Sequence, residues 1–264
     1  MRLAILSGYN KSKHTIGLIN ELTKLNHVEI VLCISVRTFT KKRIYSLKKQ
    51  YGLKRSIARF KHVFLGKSNQ ELAKETRPLE EFLKNNNIVD TSVAYSCRKF
   101  DIPYIPVADI NGKKSIEYII EKNVDLIIYS GGGIIRKGLI ESSNNGIINA
   151  HGASLPFFRG MNGIEWSLFH NDKPNVTVHM MNSGIDTGDI LQHYDINIEK
   201  SDDIGSLRGK SALQELFSLV DSVTNFDIYF DRRTKQQLGE GRQFFIMHDE
   251  LKKIATKNLM KMNG

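Results

Sequence analysis

Residues 124–151 read VDLIIYSGGGIIRKGLIESSNNGIINAH. An apolar run (124–130) stops at three glycines, a short helical segment follows, and a second apolar run (146–151) ends in Asn149 and His151. Near-continuous apolar strands separated by helical stretches are what a parallel sheet covered on both faces requires. Positions i and i+2 of a strand share a face, so Asn149 and His151 emerge side by side where the second strand ends. Two such polar groups are costly if buried without partners and useful if they line a cleft.

The same alternation extends outward. RLAILS (2–7) and VEIVLCIS (28–35) read as buried strands, and between them Thr15 caps a helix carrying Ile16, Ile19, Leu22 and Leu25 at helical spacing. The segment 69–83 is helical with Ser68 as its cap, and 113–122 is helical too. IPYIPV (102–107) is a strand whose two prolines assign it to an edge or a strand end. Residues 162–171 form a helix with Trp166 on its packed side, and NVTVHMM (175–181) and DILQHYDINI (189–198) are two more strands joined by NSGIDTG. An amphipathic helix runs from Ser201 to Thr224, with Asp202 and Asp203 in its first turn suiting the dipole, and a last helix spans 249–259. The pattern predicts an α/β fold with a doubly wound, mostly parallel, Rossmann-like sheet. Residues 1–200 form its main domain and 201–264 a C-terminal helical extension packed on it. Ligands of such sheets bind beyond the carboxyl ends of the strands, near a reversal of strand order.

The 264 residues, 41% hydrophobic and 25% charged, suffice for a packed core. The apolar run before Ser7 is too short for a signal-peptide core or a membrane span. Cys33 and Cys97 form no CxxC pair, which points to a reducing compartment, the cytoplasm by default. The formal charge of +10 is concentrated between Val36 and Gly66, where Arg37, Lys41, Lys42, Arg43, Lys48, Lys49, Lys54, Arg55, Arg59 and Lys61 meet no acidic residue. That stretch reads either as a solvated face or as an anion-attracting surface; no aromatic ladder or nucleic-acid motif accompanies it.

Three loops belong on the carboxyl rim. Ser130–Arg136 carries Gly131, Gly132 and Gly133, which suit either a tight turn or close approach of a ligand to the backbone, without the spacing of a phosphate loop. The second loop follows Asn149 and His151 and is shaped by Pro156, Arg159 and Gly160. In the third, Gly184 and Gly188 bracket Asp186, whose carboxylate either closes a local Asx turn or stands over the end of the sheet. A metal site of His151, His179 and Asp186 lacks HExxH or comparable ligand spacing, so no metal is expected.

The run NAHGASLPFFRGMNGIEWSLFHNDKPNVTVHMMNSGIDTGDIL (149–191) resembles the core of the 10-formyltetrahydrofolate-dependent formyltransferases. These include methionyl-tRNA formyltransferase, glycinamide ribonucleotide transformylase and the nucleotide-sugar N-formyltransferases. Asn149, His151 and Asp186 match that family's catalytic triad, and Pro156, Arg159 and Gly160 its Leu-Pro and Arg-Gly loop. The resemblance implies direct attack of an amine on the formyl group, with His151 as general base, Asn149 donating to the oxyanion and Asp186 orienting His151 or relaying a proton through water. It implies 10-formyltetrahydrofolate as cosubstrate, met by Asp186 and by the backbone at Gly133, Ile134 and Arg136. His179 reads either as a residue near the formyl end, behind the triad, or as a core histidine.

Tyr9, Lys11, Lys13, Arg159 and Gly160 are the residues expected to meet the acceptor. The Asp-Thr-Gly-Asp turn and a C-terminal segment more helical than a tRNA-binding barrel favour the sugar branch. That branch formylates a nucleotide-linked amino-deoxysugar, often for O-antigen-type lipopolysaccharide. Methionyl-tRNA or glycinamide ribonucleotide acceptors are the alternatives within the family; a non-catalytic folate-binding or RNA-binding module is the alternative outside it. No stable nucleic-acid partner is expected, and the apolar C-terminal helices leave room for a homodimer. Two departures stand out. Ala153 occupies the place where many relatives have serine, and the glycine run replaces a loop richer in side chains.

Overall fold

The computed structural model describes residues 1–37, 69–131 and 133–262. Ser68, the basic run from position 38 onward and Gly132 lie outside the described residues. The chain opens with β1 (Arg2–Ser7), α1 (Lys13–Leu22) and β2 (Glu29–Val36). It continues through α2 (Asn69–Asn85), α3 (Val93–Lys99), β3 (Tyr104–Val107) and α4 (Lys113–Glu121). β4 (Leu126–Ser130), α5 (Lys137–Ile140), β5 (Ile147–His151), β6 (Phe158–Gly160) and α6 (Gly163–Phe169) follow. β7 (Asn175–Met180) and β8 (Ile190–Asp195) precede α7 (Ile204–Thr224) and α8 (Phe226–Asp231). β9 (Arg242–Phe244) and α9 (Asp249–Met262) come last.

The architecture is the expected α/β, mostly parallel sheet, in the order β3-β2-β1-β4-β5-β7-β8. The first five of these strands are parallel; β7 and β8 run antiparallel to their neighbours. β3, which contains Pro106, lies at the edge, where a missing N–H breaks no ladder. β1 is central and shows why its sequence is apolar throughout. Leu3 and Ile5 enter a core with α1, α2 and α7, while Ala4 and Leu6 enter another on the opposite face with α4 and α5. A third cluster joins α6 to α9 through Ile164, Leu168, Met247, Ala255 and Leu259.

Strand order reverses between β1 and β4, and the two strand ends are tied together there. Ser12, not Thr15, caps α1, its side chain accepting from the Thr15 N–H. Thr15 is instead fully buried and bridges Ser7 at 3.0 Å and Ser130 at 2.8 Å through its hydroxyl. A small β-hydroxy side chain serves both purposes, which is why the sequence pattern alone misassigned it. At α7 it is Asp203 that caps, in a reciprocal box with Ser206, and Asp202 precedes the helix, bonded to Lys210 at 2.8 Å. Cys33 and Cys97, far apart in sequence, are buried neighbours; their mutual hydrogen bond and burial push the Cys33 thiol up. Among the described residues no helix is long and apolar enough to cross a membrane.

Candidate active site

β5 and β7 pair with Asn149 opposite His179 and His151 opposite Thr177. That register puts Asn149, His151 and His179 on one face at the carboxyl end of β5. The Asn149 side-chain nitrogen lies 3.2 Å from His179 Nε2, and His179 Nδ1 lies 2.8 Å from the Met180 carbonyl. A carbonyl only accepts, so His179 carries its proton on Nδ1 and receives an Asn149 N–H at Nε2. Asn149 is thereby locked with its amide nitrogen inward and one N–H left to give.

Burial pushes His179 down to about 4 from an ordinary 6.5. The unfolded chain takes up a proton here near pH 6.5 and the folded chain only near 4. Stability from this residue is therefore complete above that window and lost as pH falls through it. His179→Gln is expected to flatten the decline of stability across the window relative to the parent, measured by urea unfolding at stepped pH. Identical slopes in the two proteins would mean that His179 titrates as an ordinary histidine.

His151 is oriented the opposite way. Its Nε2 lies 2.8 Å from the Phe158 carbonyl, so Nε2 bears the proton and Nδ1 the lone pair. Nδ1 faces Asp186 Oδ2 at 3.6 Å, with the His151 side chain 10% and Asp186 17% exposed. The other carboxylate oxygen of Asp186 is 3.7 Å from His179 Nε2. One carboxylate thus stands between two imidazoles and remains open to solvent.

The turn that delivers Asp186 is built locally. Asn182 Oδ1 accepts from the Gly184 N–H at 2.9 Å and from the Thr187 hydroxyl at 2.6 Å. Asn182 therefore closes the Asx turn and leaves the Asp186 carboxylate free to cross to another loop. It accepts the Gly160 N–H at 2.9 Å. Asp186 itself sits at φ 51°, a left-handed conformation unusual for a residue with a Cβ. Gly188 has to be glycine because a Cβ there would fall 1.8 Å from the Met180 carbonyl oxygen.

The remaining expected residues are placed less uniformly. Gly160 lines the cavity at His151, and its N–H is given to the Asp186 carboxylate. Arg159, expected to meet a diphosphate, is 9% exposed and donates to the Pro156 and Gly241 carbonyls at 3.3 and 3.2 Å. Its guanidinium is turned toward these loop carbonyls. Tyr9, half exposed, and Lys11 stand on the loop after β1, two strand spacings or about 10 Å from β5. Lys13 opens α1 and pairs with Glu80 of α2.

In the glycine loop, Tyr129 Oη is 3.1 Å from the Gly133 nitrogen and 2.8 Å from its carbonyl oxygen. Asn111 spans the Ile134 carbonyl at 2.9 Å and the Arg136 N–H at 2.7 Å. The backbone groups expected to hold a cofactor are thus paired with the protein's own side chains. Trp166 packs on Phe244 with ring centroids 4.6 Å apart and donates to the Phe245 carbonyl at 2.9 Å, a packing role. Among the described residues no cluster of metal-ligating side chains is arranged to hold a metal ion.

A cavity of about 240 Å³ opens at His151 and is lined by Asn162, Glu165, Arg208, Ser211 and Glu215. Arg208 pairs with Glu165 and with Glu75 of α2, the latter at 2.6 Å. Burial raises Glu215 to about 7, against a smaller opposing effect of its Ser211 bond. None of these was singled out from the sequence. Their signal was present: positions 208, 211 and 215 share one face of α7 and are all polar.

A family model described as formyl transferase matches residues 1–223. The chain is similar to methionyl-tRNA formyltransferase of Finegoldia magna, 25% identical over 171 residues, 64% of this chain and 55% of that protein. The chain spans about half the length of the curated relatives it matches. Among solved structures it superposes on phosphoribosylglycinamide formyltransferase from Anaplasma phagocytophilum with TM-score 0.57 at 18% identity, covering 92% of this chain and 99% of that one. It also superposes on a sugar N-formyltransferase from a Shewanella species with TM-score 0.56 at 15% identity, covering 98% and 87%. At these identities the structural likeness is one of fold.

Proposed function

The chain belongs to the formyl transferase family, and on that premise we propose that it transfers a formyl group from 10-formyltetrahydrofolate to the amino group of a nucleotide-linked amino-deoxysugar. The observation that carries this is the small polar cavity opening at His151, with carboxylates, a guanidinium, an amide and a hydroxyl along its wall. Such a wall, whose guanidinium is already paired with Glu165 and Glu75, suits a hydroxylated ring bearing an amine. A diphosphate would lie outside it, toward Tyr9 and Lys11 at the end of β1.

When bound, 10-formyltetrahydrofolate supplies the formyl group, whose carbonyl oxygen gains negative charge as the acceptor amine adds to its carbon. Asn149, with one N–H given to His179, has its second N–H for that oxygen. His151 Nδ1 takes the proton the amine nitrogen sheds and returns it to the departing folate nitrogen, so the ring ends as it began. While protonated, His151 is held between the Phe158 carbonyl at 2.8 Å and the Asp186 carboxylate at 3.6 Å. The groups around the reacting end therefore fit the cosubstrate. Contacts to its ring system would come from the backbone at Gly133, Ile134 and Arg136, beside the bonds made there by Tyr129 and Asn111.

Incubation with 10-formyltetrahydrofolate and a panel of aminated nucleotide sugars, glycinamide ribonucleotide and initiator methionyl-tRNA tests the acceptor, read by the mass gain of one formyl group. The tRNA acceptor is the second reading, favoured by the names of the curated relatives; a formylated tRNA with unmodified sugars would overturn the first. Glu215→Ala is expected to raise the sugar's KM about tenfold, the equivalent of one hydrogen bond of roughly 1.4 kcal/mol. The KM for the folate should stay put; an unaltered sugar KM would take Glu215 out of the acceptor site.

A further inference from the structure

Both loops that meet at His151 are gripped from behind by one segment, residues 233–247, which lies beyond the family-matched part of the chain. On the Asp186 side, Arg233 pairs with Asp189 at 3.4 Å, and Thr234 and Ile190 exchange backbone hydrogen bonds of 2.8 and 2.9 Å. Gln236 follows, 6% exposed, its side-chain nitrogen donating to the Gly188 carbonyl at 2.6 Å and to the Asp186 carbonyl at 3.1 Å. On the other side, β9 pairs with β6 in register Phe158–Arg242, Arg159–Gln243 and Gly160–Phe244. Phe244 O accepts the Met161 N–H at 3.1 Å, and a Cβ at Gly160 would sit 2.2 Å from that same oxygen. The 2.9 Å bond from Gly160 N–H to the Asp186 carboxylate therefore joins two loops that this one strap holds in place.

Gln236 is the strap residue that bonds Asp186 itself. Both of its partners are carbonyls, so its amide nitrogen must face them, and its oxygen is left buried without a partner. An orphaned buried acceptor is destabilising. A residue that bears that cost while donating twice to a turn with a left-handed Asp186 is placed there for its donors. We infer that Gln236 is a positioning residue for catalysis, acting through Asp186: it holds the turn so that the carboxylate faces His151 Nδ1. The inference rests on the formyl-transfer reading for its kinetic consequence, but its physical content, restraint of residues 182–190, does not.

Gln236→Met keeps the size and removes both donors. In the full-length variant, amide hydrogen exchange over 182–190 is expected to quicken at least about tenfold while β1 exchanges as in the parent. With the acceptor identified, kcat should fall about tenfold or more and both KM values move less than about threefold. In an Asp186→Asn background the same change should cost little further, because a residue acting through Asp186 loses its effect with it. A loss that is merely structural would instead add in full. Should Gln236→Met not fold, Gln236→Asn withdraws the amide by one methylene and reads the same contacts. Unchanged exchange over 182–190 in the folded variant overturns the inference whatever the enzyme does. Absence of formyl transfer in the parent would count against the proposed activity alone.

Discussion

Replacing His151 by alanine is expected to lower kcat for formyl transfer by roughly 10²–10⁴-fold, the range for loss of a positioned general base. The prediction follows from the ring's two contacts. Nε2–H is spent on the Phe158 carbonyl at 2.8 Å, so Nδ1 is the basic nitrogen, and it faces the open side with Asp186 at 3.6 Å. Without the ring, the amine must shed its proton to water, and Asp186 has no cation to stabilise. The fold should survive, because the side chain contributes one hydrogen bond at the rim and little core packing. Circular dichroism and thermal unfolding check that part, and stopped assays of formylated product check the rate. Near-parental kcat in a folded His151→Ala protein would remove His151 as the base.

Asn149→Ala is the second large effect, expected at about 10²–10³-fold in kcat, the usual loss on deleting one donor to a developing oxyanion. The amide is fixed by the neutral His179, which accepts one of its hydrogens at 3.2 Å, so its free N–H does not have to be oriented during the reaction. Removing it strips stabilisation from the transition state more than from bound substrate, so both KM values should change little. Steady-state kinetics with both substrates varied separates these quantities. A loss confined to KM would make Asn149 a binding group and leave the oxyanion without its expected donor.

The strands of the core were legible because each is a local apolar run of the right length. Leu3 to Leu6 is buried on both faces, and no partner is needed to see that such a run must be covered. The edge position of β3 was legible from its prolines for an equally local reason. Cap identity was less so: Ser12, Thr15 and Ser7 carry interchangeable hydroxyls, and only packing at the end of β4 decides which one turns inward. Arg159 shows the same limit in a charged residue. Its guanidinium was expected to meet a diphosphate, and the sequence held no sign that Gly241, more than eighty residues later, would bring its carbonyl to it at 3.2 Å. Glu165, Arg208 and Glu215 were invisible as a group because they come from two helices that sequence spacing does not bring together.

Local chemistry was enough to settle that this chain makes a mostly parallel α/β sheet and that an amide and an imidazole leave β5 on the same face. Strand periodicity and apolar runs are short-range properties, and a few neighbouring residues suffice to impose them. Tertiary structure alone decided which nitrogen of each histidine carries the proton, that Asp186 lies between the two rings, and that Gln236 stands behind its turn. Those facts depend on carbonyls and amides supplied by distant segments, and nothing in the chain order records which backbone group will arrive at hydrogen-bond distance once the layers have packed.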